Sequence, residues 1–109
     1  MASDRRTVDE IVAQASGAGA VLARAMFGEY ALYLDDRMVG LICDDRLFVK
    51  PTAPGRAFVG TVDEAPPYPG ATPSMRIDPD QVADAAWLSE LVAITAAALP
   101  IPKKKPHKG

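Results

Sequence analysis

The sequence predicts a two-layer α+β domain in which an antiparallel sheet carries helices packed on one face. Apolar residues recur at helical spacing near both ends of the chain, and residues 24–50 read as three consecutive strands. Two aspartate-rich turns, at residues 35–37 and 44–46, divide these strands into hairpins. The predicted order is therefore helix, three strands, helix, strand and long helix, which is typical of an α+β domain.

The first helix is indicated by four apolar residues that share one face at spacings of three and four: Val8, Ile11, Val12 and Ala15. Thr7 and Glu10 have the spacing of a capping box, although Ser3 could begin the helix one turn earlier. Gly17 and Gly19 are expected to end the helix, because glycine readily adopts the positive φ of a C-terminal cap.

The strand region carries apolar side chains on both faces. Residues 30–34 read Tyr-Ala-Leu-Tyr-Leu, and successive strand residues point to opposite sides of a sheet. We expect one face to meet the helices and the other to meet a partner or partial solvent. Gly28 and Gly40 lie inside the predicted strands, where glycine suggests a bulge or a close approach by another backbone.

Between the strand region and the last helix, the sequence predicts three short segments. A helix at residues 53–59 is expected to end at Gly60. Residues 65–73 contain four prolines, which fix φ and remove hydrogen-bond donors, so this segment is expected to form an extended crossing loop. Residues 74–77 then read as the last strand.

The final helix is predicted to begin after the N-cap residue Asp84 and to run to Leu99, where Pro100 stops it. Its apolar residues form a wide stripe that must lie against the sheet. The stripe comprises Trp87, Leu88, Leu91, Val92, Ile94, Thr95, Ala98 and Leu99.

The domain is expected to span residues 1–99, followed by a disordered basic Pro/Lys tail at residues 100–109. The net charge is −2, and four lysines lie in the tail, so the body carries −6 (−2 minus +4). An acidic body is a poor platform for phosphates. Direct nucleic-acid binding is expected to be absent, or weak and confined to the lysine tail.

The expected compartment is the cytoplasm, with no membrane partner. No apolar stretch approaches the roughly 20 residues that a bilayer-spanning helix needs, and the N-terminus has no signal-peptide core. The single cysteine, Cys43, cannot form an internal disulfide, which agrees with a reducing compartment.

No catalytic constellation is visible, and we expect a non-enzyme without a cofactor or a metal. The single histidine, His107, lies in the tail, and Cys43 precedes two aspartates that would raise a thiol pKa. Adjacent carboxylates at residues 35–36, 44–45 and 63–64 occupy positions where turn chemistry explains them.

Two stretches of the sequence resemble the N-terminal domain of the TfoX/Sxy family, which is named for regulators of natural competence. They are the run Arg24-Ala25-Met26-Phe27-Gly28-Glu29-Tyr30 and the strand end Leu47-Phe48-Val49-Lys50-Pro51. The resemblance covers roughly residues 7–99. It implies a small fold similar to the type III secretion chaperones, a tendency to pair, and a non-catalytic role in regulating transcription through a protein partner. Glu29 and Ala31 stand where many relatives have glycine. Full-length competence regulators also carry a C-terminal domain, which this sequence does not include.

The resemblance centres on Met26, Phe27 and Gly28. They could form a recognition patch, with Gly28 admitting a partner backbone, or Met26 and Phe27 could fill the core while Gly28 accommodates a bulge. Lys50 could pair with Glu29 or bind an anion, or it could extend from a strand end into solvent.

Two further surfaces are candidates. A symmetric homodimer is expected to bury part of a region around Tyr30, Tyr33 and Leu41, because apolar residues on both faces of a sheet need cover. The alternative function is small-molecule binding, or a minor enzymatic activity, in a cleft between the sheet and the last helix near Phe27, Tyr68 and Trp87. Tyr68 lies in a proline-rich segment that could also bind a Pro-recognising domain or simply rest on the sheet.

Overall fold

The fold is an α+β domain with a six-stranded antiparallel sheet, seen in a computed structural model that describes residues 3–99. The helices are α1 (Arg5–Ala15), α2 (Ala53–Val59), α3 (Pro79–Val82) and α4 (Ala85–Ala98). The strands are β1 (Val21–Met26), β2 (Glu29–Leu34), β3 (Arg37–Cys43), β4 (Arg46–Val49), β5 (Glu64–Ala65) and β6 (Ser74–Arg76). The strand order is β1-β2-β3-β4-β6-β5. The predicted tail at residues 100–109 lies outside the described residues.

The prediction of three strands within residues 24–50 was wrong, because this region holds the end of β1 and all of β2, β3 and β4. Phe27 and Gly28 form a two-residue turn between β1 and β2, with φ angles of 51° and 80°. A bulky residue at positive φ is unusual, so the sequence carried no recognisable turn signal there. The aspartates of the β2–β3 and β3–β4 turns did provide a turn signal. Gly28 therefore supports a turn and not a bulge within a strand.

Strands β2, β3, β4 and β6 each turn buried side chains toward the helices. Leu32 of β2, Ile42 of β3, Leu47 of β4 and Met75 of β6 are fully buried in one core cluster. The same cluster contains the buried apolar residues of the two long helices: Val8, Ile11 and Ala15 of α1, with Leu88, Leu91, Val92 and Ala96 of α4. The helical periodicity predicted both helices, and the core that they form lies on one face of the sheet.

The helix ends are fixed by side chains that reach backbone groups. Asp84 accepts a hydrogen bond from the Trp87 N–H, as predicted for its N-cap role. The N-cap of α1 is Asp4, which accepts from the Arg6 N–H, so neither a Thr7 nor a Ser3 start is correct. No helix among residues 3–99 has the length and apolar character required to cross a membrane.

Gly40 marks a close approach between β3 and β4, as its position inside a strand suggested. A Cβ atom at this position would overlap the carbonyl oxygen of Phe48. The pairing of β2 with β3 also shifts register here, since Leu32 faces Gly40 while Tyr33 faces Met38. The extra residue, Val39, is fully buried, so the bulge turns its side chain into the core.

We expect the substitution Gly40→Ala to lower the free energy of unfolding by about 1–3 kcal/mol, because β4 must move to admit the methyl group. Urea denaturation followed by circular dichroism would measure the change. Ala93→Ser, on the exposed side of α4, serves as the control and should leave the midpoint nearly unchanged. Equal midpoints for Gly40→Ala and the native chain would contradict the close approach.

Candidate functional site

The sheet face that points away from the helices, here called the open face, carries a wide groove. Met26, Met38, Leu41 and Cys43 contribute to its floor, and its volume is about 910 Å³. No residue of the helices lines the groove. One wall is the β1–β2 turn, with Phe27 and Gly28. The other wall is the proline-rich loop, with Pro67, Tyr68 and Pro69.

Phe27 is the most exposed large apolar side chain among the described residues, at 91% of its full accessible area. Its φ of 51° lies in the left-handed region, which costs a bulky residue on the order of 1–2 kcal/mol. The equivalent positions in the other two hairpin turns are Asp35 and Asp44, with φ angles of 51° and 54°. Those aspartates suit the turn, whereas Phe27 combines backbone strain with exposure, so the core-filling interpretation of Phe27 was wrong.

The structure brings six of the nine predicted site residues to the groove: Met26, Phe27, Gly28, Tyr30, Leu41 and Tyr68. Tyr30 only borders it, since its ring packs against the core and lies 6.0 Å from the Arg5 guanidinium of α1. Tyr33 lies on the open face beyond the groove, with the Arg24 guanidinium 5.5 Å from its ring centre. Tyr30 and Tyr33 thus point to opposite faces and cannot contribute equally to one interface.

The other two predicted residues lie elsewhere. Trp87 packs on the helix side against Phe58, with ring centres 5.5 Å apart. It therefore does not share a cleft with Phe27 and Tyr68. The prediction that these three residues lie together in a cleft between the sheet and the last helix was wrong. Lys50 follows β4, and its backbone N–H bonds to the Val39 carbonyl.

A polar cluster beside the groove was not predicted from the sequence. The two carboxylate oxygens of Glu29 accept hydrogen bonds from the backbone N–H groups of Ser3 and Asp44, at 2.8 and 2.9 Å. The Ser3 hydroxyl in turn accepts from the Asp45 N–H at 2.9 Å. This cluster joins the N-terminal segment to the β3–β4 turn, and Glu29 does not pair with Lys50. Sequence spacing gave no signal for contacts that join positions 26 and 42 residues apart.

The environment of Glu29 lowers its pKa below the ordinary value of 4.5. Burial alone would raise this pKa, but hydrogen bonds from Asp44 and Ser3 stabilise the charged form and outweigh it. A depressed folded-state pKa stabilises the fold above the unfolded-state pKa. That contribution is lost as pH falls through the folded-state pKa.

Cys43 at the groove floor has the surroundings of an unreactive thiol. It is 5% exposed, and burial, with the charges of Glu29 and Asp44, raises the pKa of the Cys43 thiol. A raised pKa leaves little thiolate at neutral pH, and the thiolate is the nucleophile. Within residues 3–99, no group of three or more His, Cys, Asp or Glu residues is placed to hold a metal ion.

We expect Glu29→Gln to destabilise the protein at neutral pH by about 1 kcal/mol, because the amide nitrogen cannot accept one of the two backbone hydrogen bonds. The difference from the native chain should shrink as pH falls from 4.5 through the lower folded-state pKa of Glu29, where this carboxylate takes up a proton in the folded chain. Unfolding free energies measured from pH 7 to pH 3 would show this. Glu90→Gln, on the exposed side of α4, is the matched control, and parallel pH profiles for both variants would contradict the role of Glu29.

Two comparisons with known proteins found similarity over most of the chain. The TfoX N-terminal domain family matches residues 13–99 of the chain. A protein of Spirochaeta aurantia, described as an uncharacterized 12.7 kDa protein in the trpE 5′ region, is 43% identical over 108 residues, which is 99% of this chain and 93% of that protein. The matched span includes all six strands and helices α2 to α4. The chain therefore belongs to the TfoX N-terminal domain family.

Proposed function

We propose that this chain is a non-catalytic domain of the regulatory type that acts through protein contacts, with Phe27 and the groove as the contact surface. Phe27 carries the proposal, because a strained and 91% exposed aromatic side chain costs free energy in the isolated protein. Burial of the ring in a partner would recover the cost of its exposure to water, and aromatic anchors commonly dominate binding energy at interfaces.

The chemistry of the groove favours an apolar segment as its occupant. Its floor combines Met26, Met38 and Leu41, and methionine side chains adapt readily to irregular partner surfaces. Tyr68 is partly exposed at the rim and offers both an aromatic ring and a hydroxyl. A partner segment lying in the groove would contact Tyr68 on one side and Phe27 on its other side.

Membership of a family named for competence regulators supports a role in controlling transcription. The acidic body, with a charge of −6 by the subtraction above, disfavours direct contact with nucleic acid. A protein component of the transcription apparatus is therefore the partner that we propose. The lysines at residues 100–109 could add only a weak and salt-sensitive attraction to phosphates.

We expect the substitution Phe27→Asn to raise the stability of the chain and to weaken its binding to the partner. Asn followed by Gly28 is the preferred pair for this turn type, so the variant should be more stable than the native chain by about 1 kcal/mol. Its binding to the partner should nevertheless fall at least tenfold, which corresponds to about 1.4 kcal/mol. Denaturant titration measures the first effect. Quantitative mass spectrometry after purification of the tagged chain from its host measures the second.

Asp35→Asn is the matched control for that experiment, since it changes the same position of the β2–β3 turn, at the opposite end of the sheet. This variant should retain the same proteins at the same stoichiometry as the native chain. The proposal fails if Phe27→Asn also retains them unchanged, or if transcript levels are the same with and without the native chain.

A small-molecule ligand is the second candidate for the groove, because about 910 Å³ falls within the range of known ligand pockets. A thermal-shift screen with common metabolites tests it. Leu41→Glu should abolish any stabilisation that arises from a ligand in the groove, whereas Asp35→Asn should not. A thermal shift that Leu41→Glu retains would place the ligand outside the groove.

A further inference from the structure

The two edges of the sheet differ in how well they are protected. At one edge, β5 has two residues and continues into the proline-rich loop, and short strands and prolines both discourage pairing with another chain. At the other edge, β1 is a full six-residue strand without proline or bulge, paired regularly with β2 along its length. Arg24 is the one charged residue in β1, and its guanidinium lies over Tyr33 of the protein's own sheet.

The β1–β2 turn determines which backbone groups of β1 face outward. Met26 and Glu29 flank a two-residue turn and pair directly, so they exchange hydrogen bonds with each other. By alternation, Leu22 and Arg24 also bond to β2, whereas Val21, Ala23 and Ala25 direct their N–H and C=O groups away from it. Consistent with this, the Val21 N–H bonds to the Gly19 carbonyl and not to β2.

We propose that a second copy of this chain pairs with β1 along its free edge, antiparallel and about a two-fold axis at Ala23. In an antiparallel pair, residues that lie opposite each other point to the same face of the sheet. In a symmetric dimer this requires one residue of β1 to lie opposite its own counterpart, and the two-fold axis passes between those two copies. An axis at Arg24 would place two guanidinium groups opposite each other, which is unfavourable. An axis at Ala23 places Arg24 opposite the Leu22 of the second copy instead.

The pairing about Ala23 uses the free backbone groups that β1 offers. Ala23 would exchange two hydrogen bonds with its counterpart, and each Ala25 N–H would reach the Val21 carbonyl of the other chain, giving about four interchain bonds. Leu22, which is 42% exposed in the single chain, would lie against the aliphatic stem of the opposing Arg24. The result is a continuous twelve-stranded sheet, twice the six strands of one chain.

This pairing leaves the groove accessible. Phe27 lies four positions beyond the axis residue, so the two copies of Phe27 would stand roughly 26 Å apart at a strand rise of about 3.3 Å per residue. The dimer would therefore present two copies of the groove to one partner assembly. The pairing does not depend on what the groove binds.

Cysteine cross-linking of the full chain tests both the pairing and its register. With the axis at Ala23, the two Cα atoms of Ala23→Cys lie about 5.5 Å apart, within the disulfide range of about 4.4–6.8 Å. The Cα atoms of Ala25→Cys would be about 13 Å or more apart. Mild oxidation should convert Ala23→Cys to a covalent dimer and leave Ala25→Cys unlinked. The native chain, whose Cys43 is buried, gives the background.

Light scattering at about 100 µM supplies the second measurement. The native chain should have the mass of a dimer, and Ala23→Pro, which removes an outward N–H that β2 does not use, should be monomeric. A monomeric native chain overturns the proposal. Cross-linking of Ala25→Cys in place of Ala23→Cys also overturns it, because the register would then be wrong. A dimer that tolerates Ala23→Pro but is dissociated by Leu41→Glu would overturn it in favour of pairing through the open face.

Discussion

One layer of helices has to bury one face of a six-stranded sheet, and the rest of the structure depends on that constraint. The buried residues of α1 and α4 meet the inward side chains of β2, β3, β4 and β6 in a single core. Residues 3–99 contain no further long helix that could cover the other face. Apolar side chains on the open face are therefore covered by the proline-rich loop or by another molecule, or they remain exposed to solvent. The groove lies on this face because no helix covers it.

The sequence predicted the helices better than the strands because their signals are local. Helical spacing of apolar residues and the Asp84 cap located α1 and α4, and glycine and proline bounded α2. The division between β1 and β2 was missed because Phe27 is a poor residue for its turn. Asp4 as the first helix cap was missed because the spacing of Thr7 and Glu10 resembled a better-known pattern.

The candidate site was predicted in part. The hairpin places Met26 and Phe27 beside Leu41, and the crossing loop brings Tyr68 to them, so residues from three sequence regions do converge. Trp87 could not be assigned to a face, because an aromatic residue in a helical stripe suits either a core or a cleft. The Glu29 cluster depends on contacts between distant segments, and spacing along the chain contains no information about them.

The attachment of Ser3 to Glu29 has a practical consequence for anyone who handles this protein. Ser3 is held beside Asp44, and Asp44 and Glu29 both line the groove, so any peptide fused ahead of Ser3 emerges next to the proposed binding surface. An N-terminal affinity tag could thus block the groove or occupy it. The last turn of α4 lies instead on the helix side of the sheet, where the Arg37 guanidinium donates a hydrogen bond to the Ala96 carbonyl. A fusion that follows α4 is the safer choice for binding studies.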